Sequence, residues 1–347
     1  MSITPGAIRF NTDSMKLEYY RGGPVGFGTT TTTGEWVNIT TDSPDIQTGG
    51  ARAIIAGGND YTAPTSSIHG DIQYFNIAST GNAVDFGTNL TQSRRRLSAM
   101  SSSTRGVFSG GATPGLVSTQ DFVTISSTGT CTAWGDSANN TGTCDNMGFS
   151  NSTRGISKSG YQSPGVTGTM DYITIASAGN TVNFGSLDYH GDAAGGAANS
   201  TRALLGGQYA NPGGSTTSFV TMHTLGNNTQ FGDLTVGRFS AAACASSKRV
   251  IWGGGSTPTV VNTMDYIEIA SLGNAVNFGD LAATVSTACA TSDCIRGVWS
   301  GGYEGNSTDR IQYVQMESQG DTVDFGNLSV RDTGGAAACS NGHGGLG

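Results

Sequence analysis

His and Cys are the residues best able to ligate a metal or attack a substrate, and here they are few and scattered. The four His are His69, His190, His223 and His343, and no H-x-x-x-H or C-x-x-C spacing occurs. Cys244, Cys289 and Cys339 recur at one place in a repeated stretch of small residues, which makes them small apolar side chains. A ring of thiols or metal ligands is the alternative, weakened because three repeats lack the Cys. Cys131 and Cys144 fall in one repeat, so a disulfide between them stays open. There is no G-x-x-x-x-G-K-[ST] phosphate loop. The 25 Asp and Glu leave room for a pair of carboxylates that could hydrolyse a glycoside. The other available chemistry is recognition. Tyr61, Tyr161, Tyr209 and Tyr303 each stand early in a loop of variable length. Arg94, Arg95, Arg96, Tyr189-His190, Arg238 and Arg331 stand in a second set of loops. Tyr supplies a flat ring with a hydroxyl, and Arg a planar fork of donors, which suit sugars or protein partners.

A repeat of about 48 residues, read off the chain, positions these loops. Arg52, Arg105, Arg154, Arg202, Arg249 and Arg296 each precede a short apolar run that closes on a Gly pair, Ser159-Gly160 replacing the pair in one unit. An aromatic follows (Tyr74, Phe122, Tyr172, Phe219, Tyr266, Tyr313), then a turn Gly, then Phe-Gly or Trp-Gly at 86, 134, 184, 231, 278 and 325. Each unit parses into four strands, a to d: small residues, the apolar run, an alternating strand, and a short strand after a tight turn. Four-stranded units with a period of 40–50 residues build a β-propeller. Strand a is made of small residues because blades converge on the axis, and the aromatics fill the wider space between blades. The first unit begins at strand b, and the chain ends on an unpartnered strand a. The C-terminal strand must therefore complete the first blade, giving six blades and no open edge there. The six Arg are expected to hydrogen-bond turn carbonyls or carboxylates of their own or a neighbouring blade. An anion-binding ring is the alternative.

Composition agrees. Gly fills 54 of 347 positions, which burdens helices but suits many turns. Charged residues are only 12%, too few for a disordered chain. Net charge is −8, which argues against a nucleic-acid partner. No run of about 18 apolar residues would carry the chain through a bilayer, and no secretory pattern opens it.

The Gly-Gly strand endings, the repeat length and the Arg preceding strand a (Arg238, Arg331) resemble the kelch repeat family over roughly residues 51–342. The spacing departs from it, since the second aromatic comes 12 residues after the first (Tyr74 to Phe86) and is mostly Phe. Residues 1–50 lack the repeat. Residues 6–13 and 15–20 alternate about a turn as a hairpin, and Glu35–Ile39 forms a third strand. This segment, PGAIRFNTDSMKLEYY…GEWVNI, is similar to a short module of tailed-bacteriophage structural proteins. Together with the Ser-x-Gly-Asn-x-x-x-Phe-Gly-Asp-Leu repeats it resembles tail or appendage proteins of marine cyanophages.

The resemblance implies a non-enzymatic virion component, assembled in the host cytoplasm and placed in a tail or surface appendage. Its partners would be other virion proteins, copies of itself, or a host-surface glycan or protein, with no cofactor and no metal. Phe10, Tyr19, Tyr20 and Trp36 are the candidate docking residues of the N-terminal module (1–50). The b–c and d–a loops of the propeller (51–347) carry the candidate recognition residues. A propeller lectin or glycan hydrolase is the alternative.

Overall fold

The structure is a computed structural model that describes residues 7–11, 16–21, 35–38, 51–61, 67–137, 142–188, 195–209, 214–330 and 334–346. The chain divides into two compact units, Met1–Thr48 and Gly49–Gly347.

In the first unit β1 (Ile8–Asn11), β2 (Lys16–Arg21) and β3 (Glu35–Asn38) form an antiparallel sheet in chain order. The expected hairpin and third strand are present. Register places Ile8 beside Tyr19 and Tyr20 beside Trp36, hence on opposite faces.

The second unit is a six-bladed β-propeller, each blade a four-stranded antiparallel sheet. Blade 1 is assembled from both ends of the unit. Its strand a is Ala337–Ser340 from the C-terminus, paired to strand b, Arg52–Asp60. Strand c (Ser67–Asn76) and strand d (Val84–Asn89) follow. Blades 2 to 6 run continuously, with strands a at Ser98–Ser101, Met147–Ser150, Gly195–Ala198, Ala242–Ala245 and Cys289–Ser292. The six strands a touch one another in a closed ring around the axis. Strand d is outermost, and in Val276–Asp280 only the central Phe278 is buried.

Because each blade is apolar on both faces, the core is a set of layers between neighbouring blades. One such layer joins Ile54, Ile72 and Phe86 of blade 1 to Phe108, Val123 and Ile125 of blade 2. Two devices bind blade to blade. In the first, each strand-b Arg stacks on its own blade's aromatic and donates to a carbonyl just past strand c of the next blade. Thus Arg52 lies 4.5 Å from the Tyr74 centroid and bonds the Ile125 carbonyl (2.8 Å). Arg105, Arg154, Arg202 and Arg249 repeat the bond to Ile175, Met222, Ile269 and Met316, and Arg296 closes the ring on Ile77. The Arg column is thus a set of interblade ties, using carbonyls of the neighbour.

The second device explains the Gly-Asn turn and the Phe-Gly pair together. The c–d turn of one blade lies flat on the Phe-Gly strand of the blade before. A Cβ on Gly232 would collide with the Gly273 carbonyl, and the Asn274 side-chain oxygen accepts from the Asp233 amide (3.1 Å). The contact recurs at Gly135/Gly179, Gly185/Gly226, Gly279/Gly320 and Gly326/Gly81. The joint between blades 1 and 2 departs from it. Thr130 stands where the other blades have Asn or, in blade 6, Asp321, and the Thr88 hydroxyl accepts from the Cys131 amide instead.

Past strand a of blade 1 the tail crosses the axis. His343 Nε2 lies 3.0 Å from the Ser101 carbonyl and 3.3 Å from Ser150 Oγ. Gly344 and Gly345 press on the carbonyls of Ala245, Ser246 and Ser150 so closely that no Cβ would fit. The tail therefore seals the end of the axial channel where strands a finish. A space of about 50 Å³, walled by strands a, His343 and Gly344, lies between it and the other end.

Candidate functional site

At the end where strands a begin, the channel opens into a cavity of about 320 Å³. The d–a turns frame it. In each described turn, the second residue before strand a has positive φ: Arg96 (57°), Asp145 (54°), Ser240 (55°), Thr287 (55°) and Gly335 (77°). The fourth blade's counterpart lies outside the described residues. A left-handed backbone here swings the chain from the outer strand to the inner one within a few residues. It costs a non-Gly residue about 1–2 kcal/mol, and Thr287, being β-branched, is the least suited of the four. Strained positions of this kind gather at binding sites, because the surrounding fold holds them in place. All five of these residues line the cavity.

A further regularity braces the turns. The residue just before the left-handed one bridges to the start of the same blade's b–c loop: Arg95 to Ala112, Cys144 to Tyr161, Phe239 to Ser256 and Ser286 to Tyr303. The b–c loops are therefore pinned where they leave strand b, although their sequences differ. Outside blade 3, where Ser159 takes the place, a left-handed Gly falls five residues after each strand-b Arg. It is Gly207 in blade 4 and Gly254, followed by a second left-handed residue Gly255, in blade 5.

Around the rim the chemistry falls into three sectors of two blades each. Blades 6 and 1 contribute Tyr303 and Tyr61, edge to face at 5.9 Å. Blades 4 and 5 contribute Tyr209 and Phe239, edge to face at 4.9 Å. Blades 2 and 3 contribute an ion pair, Arg96 to Asp145 at 3.1 Å. Tyr61, Tyr209, Phe239, Arg96 and Asp145 line the cavity itself. Burial pushes the Arg96 pKa down, but Asp145, helped by Tyr61, more than offsets this, and the net shift is upward. Beside the pair the Cys144 thiol is pushed up to about 12 by burial and then by Asp145, so it stays a neutral thiol. The Thr287 hydroxyl oxygen is shielded from water and has no hydrogen-bond partner.

The residues picked from sequence divide accordingly. Tyr61, Tyr209 and Arg96 converge on the cavity. Tyr303 braces Tyr61. Tyr161 is partly exposed on a two-stranded extension of its loop and does not line the cavity. Arg94 is a correction: it is fully buried and ion-paired to Asp121 at 2.8 Å, as Arg238 is to Asp265, so both serve packing and offer nothing to a ligand. Arg95 is half-buried and does not reach the cavity. Tyr189, His190 and Arg331 lie outside the described residues. In the N-terminal unit Tyr19 and Ile8 are exposed together, whereas Trp36 is packed between Tyr20 (5.4 Å) and the Arg9 guanidinium (4.1 Å). The Phe10 side chain lies outside the described residues. All six Cys are free thiols, so Cys131 and Cys144 are not bridged.

Asp145, Phe239, Ser240 and Thr287 were not singled out in the sequence. The signal of Asp145, Ser240 and Thr287 is positional: one slot, two residues before strand a, whose residue type changes from blade to blade while its surroundings repeat; Phe239 stands one residue earlier. No protein-family model matches this chain. No curated protein matches it either.

Proposed function

We propose that this chain is a non-enzymatic binding protein of a bacteriophage particle, a tail or surface-appendage component. Its propeller is a rigid platform that presents the axial cavity to a host-surface or virion ligand. The observation that carries the binding role is the convergence of Tyr61, Tyr209, Phe239, Arg96 and Asp145 on one recess in an otherwise repetitive scaffold. Variable side chains on a pinned frame are the usual arrangement for recognition. Asp145 is the one carboxylate among the described lining residues, and it is engaged by Arg96. That favours binding over hydrolysis, which needs two carboxylates across the bond. The placement in a particle rests on the resemblance of residues 1–50 and of the Gly-Asn repeats to phage appendage proteins. On this reading residues 1–50 dock to sister chains or a neighbouring virion protein, with Tyr19 more exposed than Tyr20 and Trp36.

The test is to label the protein and image purified particles, comparing the whole chain with residues 51–347. The whole chain should decorate the particle. The shorter chain should melt as the propeller does but fail to join. A whole chain absent from particles ends the virion reading.

A further inference from the structure

We infer that the axial cavity is a receptor for the terminal, uncharged sugar ring of a glycan, entered end-on. This rests on the binding role proposed above and names its ligand class. Charge comes first. Among the described lining residues the one cation and the one anion are paired with each other, Arg96 to Asp145, so these residues together offer no net charge to an acidic or basic group. The chain as a whole carries −8, which disfavours acidic sugars further. A paired guanidinium and carboxylate instead present donors and acceptors side by side. Adjacent hydroxyls of a sugar, each both donor and acceptor, can meet them without separating the pair. Ser240 adds a further hydroxyl to the lining on the opposite side of the rim.

Shape comes second. Tyr61 and Tyr209 belong to blades 1 and 4, which face each other across a six-bladed ring. Each is backed by a second aromatic, Tyr303 and Phe239, that restricts its motion. Rigid aromatic walls suit the C–H faces of a sugar ring and lose little entropy on binding. Depth comes third. The cavity of about 320 Å³ is at the small end of ligand sites, which run from about 300 to 1,000 Å³. It is also blind, because strands a and the tail at His343–Gly344 close the channel behind it. A chain of sugars cannot thread through; only an end can enter.

The experiment uses the full chain on an array of neutral and acidic glycans, followed by calorimetric titration with the simple sugars found at the ends of the bound structures. The expected result is binding to neutral termini, competed by the free monosaccharide. Tyr209→Ala and Asp145→Asn should each weaken it at least tenfold with melting unchanged. Tyr161→Ala, outside the cavity, should leave it as it was. Binding confined to acidic glycans, or binding that survives Tyr61→Ala with Tyr209→Ala in a folded protein, overturns the inference. So does capture of a peptide or protein by the recess with no sugar competing. A separate readout keeps the two proposals apart. If Tyr209→Ala abolishes particle or cell attachment while no sugar competes, the platform role stands and the sugar receptor falls. If the protein binds sugar but is absent from particles, the sugar receptor stands and the virion role falls.

Discussion

Three consecutive residues, Arg94, Arg95 and Arg96, show how much is decided at the scale of the single side chain. The first is sealed in an ion pair, the second braces a bridge, and the third faces the recess. A triplet of one residue type in a loop carries no trace of this in sequence, since the left-handed turn that separates them is a tertiary event. The carboxylate side of the same device repeats at one place in strand c. Asp121 has Arg94 and Asp265 has Arg238, but Asp171 has only the Thr181 hydroxyl at 3.3 Å, and its second oxygen has no partner. Burial accordingly raises the Asp171 pKa, with the Thr181 bond opposing it. A folded pKa above the unfolded one means that the native state holds the proton longer, so ionisation at neutral pH works against folding. Asp171→Asn should therefore be neutral or stabilising at pH 7, with its relative benefit fading as the pH falls. Asp121→Asn leaves Arg94 buried without a counter-charge and should cost about 3–5 kcal/mol. Denaturant titrations of the two variants check both signs; equal losses would show that Asp171 is compensated as well as Asp121.

Among the elements, the c–d turn was legible as a repeated text, Gly-Asn ahead of Phe-Gly, yet its purpose was not. Sequence placed the turn Gly in a tight turn of its own blade. The demanding contact is with the blade before, where backbone meets backbone across Gly232 and Gly273. Such a close approach is a relation between segments some 40 residues apart and leaves no local mark. Gly232→Ala should cost about 1–3 kcal/mol or more, because the neighbour to be displaced is main chain. Asn274→Ala removes a single bond to the Asp233 amide and should cost about 1 kcal/mol. Melting curves give the ranking. The joint between blades 1 and 2, with Thr130 in place of Asn, should be the first to exchange its amides. The b–c loops taught the opposite lesson. They vary in length in the sequence, yet in four blades a backbone bridge pins them, and backbone bonds ask little of side-chain identity.

For the whole molecule, the order of pieces in the sequence already implied that the last strand completes the first blade, and the pairing of Ala337–Ser340 with Arg52–Asp60 is that closure. What it did not imply is the tail beyond it. Residues 342–346 hold few side chains, and their role is to fit under the carbonyls of three other blades. The two parts can be separated. Removal of 342–347 takes away the plug and leaves every strand; removal of 334–347 also strips strand a from blade 1 and bares an edge. The shorter deletion should lower the melting temperature slightly and leave the oligomeric state of the whole chain unchanged. The longer one should aggregate or melt far earlier, and an unchanged melt would refute closure by this strand. His343 adds a titration. Burial pushes its pKa down to about 4, only partly opposed by its bond to the Ser101 carbonyl. The unfolded chain takes up a proton near pH 6.5 while the native imidazole stays neutral, so the stability held above that pH is lost progressively as the pH falls toward 4. Keeping the buried imidazole neutral down to that pH corresponds to stability on the order of 3 kcal/mol. The loss should first loosen the tail, since it can leave the axis without opening a blade. Amide exchange at 342–346 should therefore rise between pH 6.5 and 4 ahead of exchange in strands a. His343→Gln, which cannot acquire the charge, should abolish that rise, and a rise persisting in this variant would place the titrating group elsewhere.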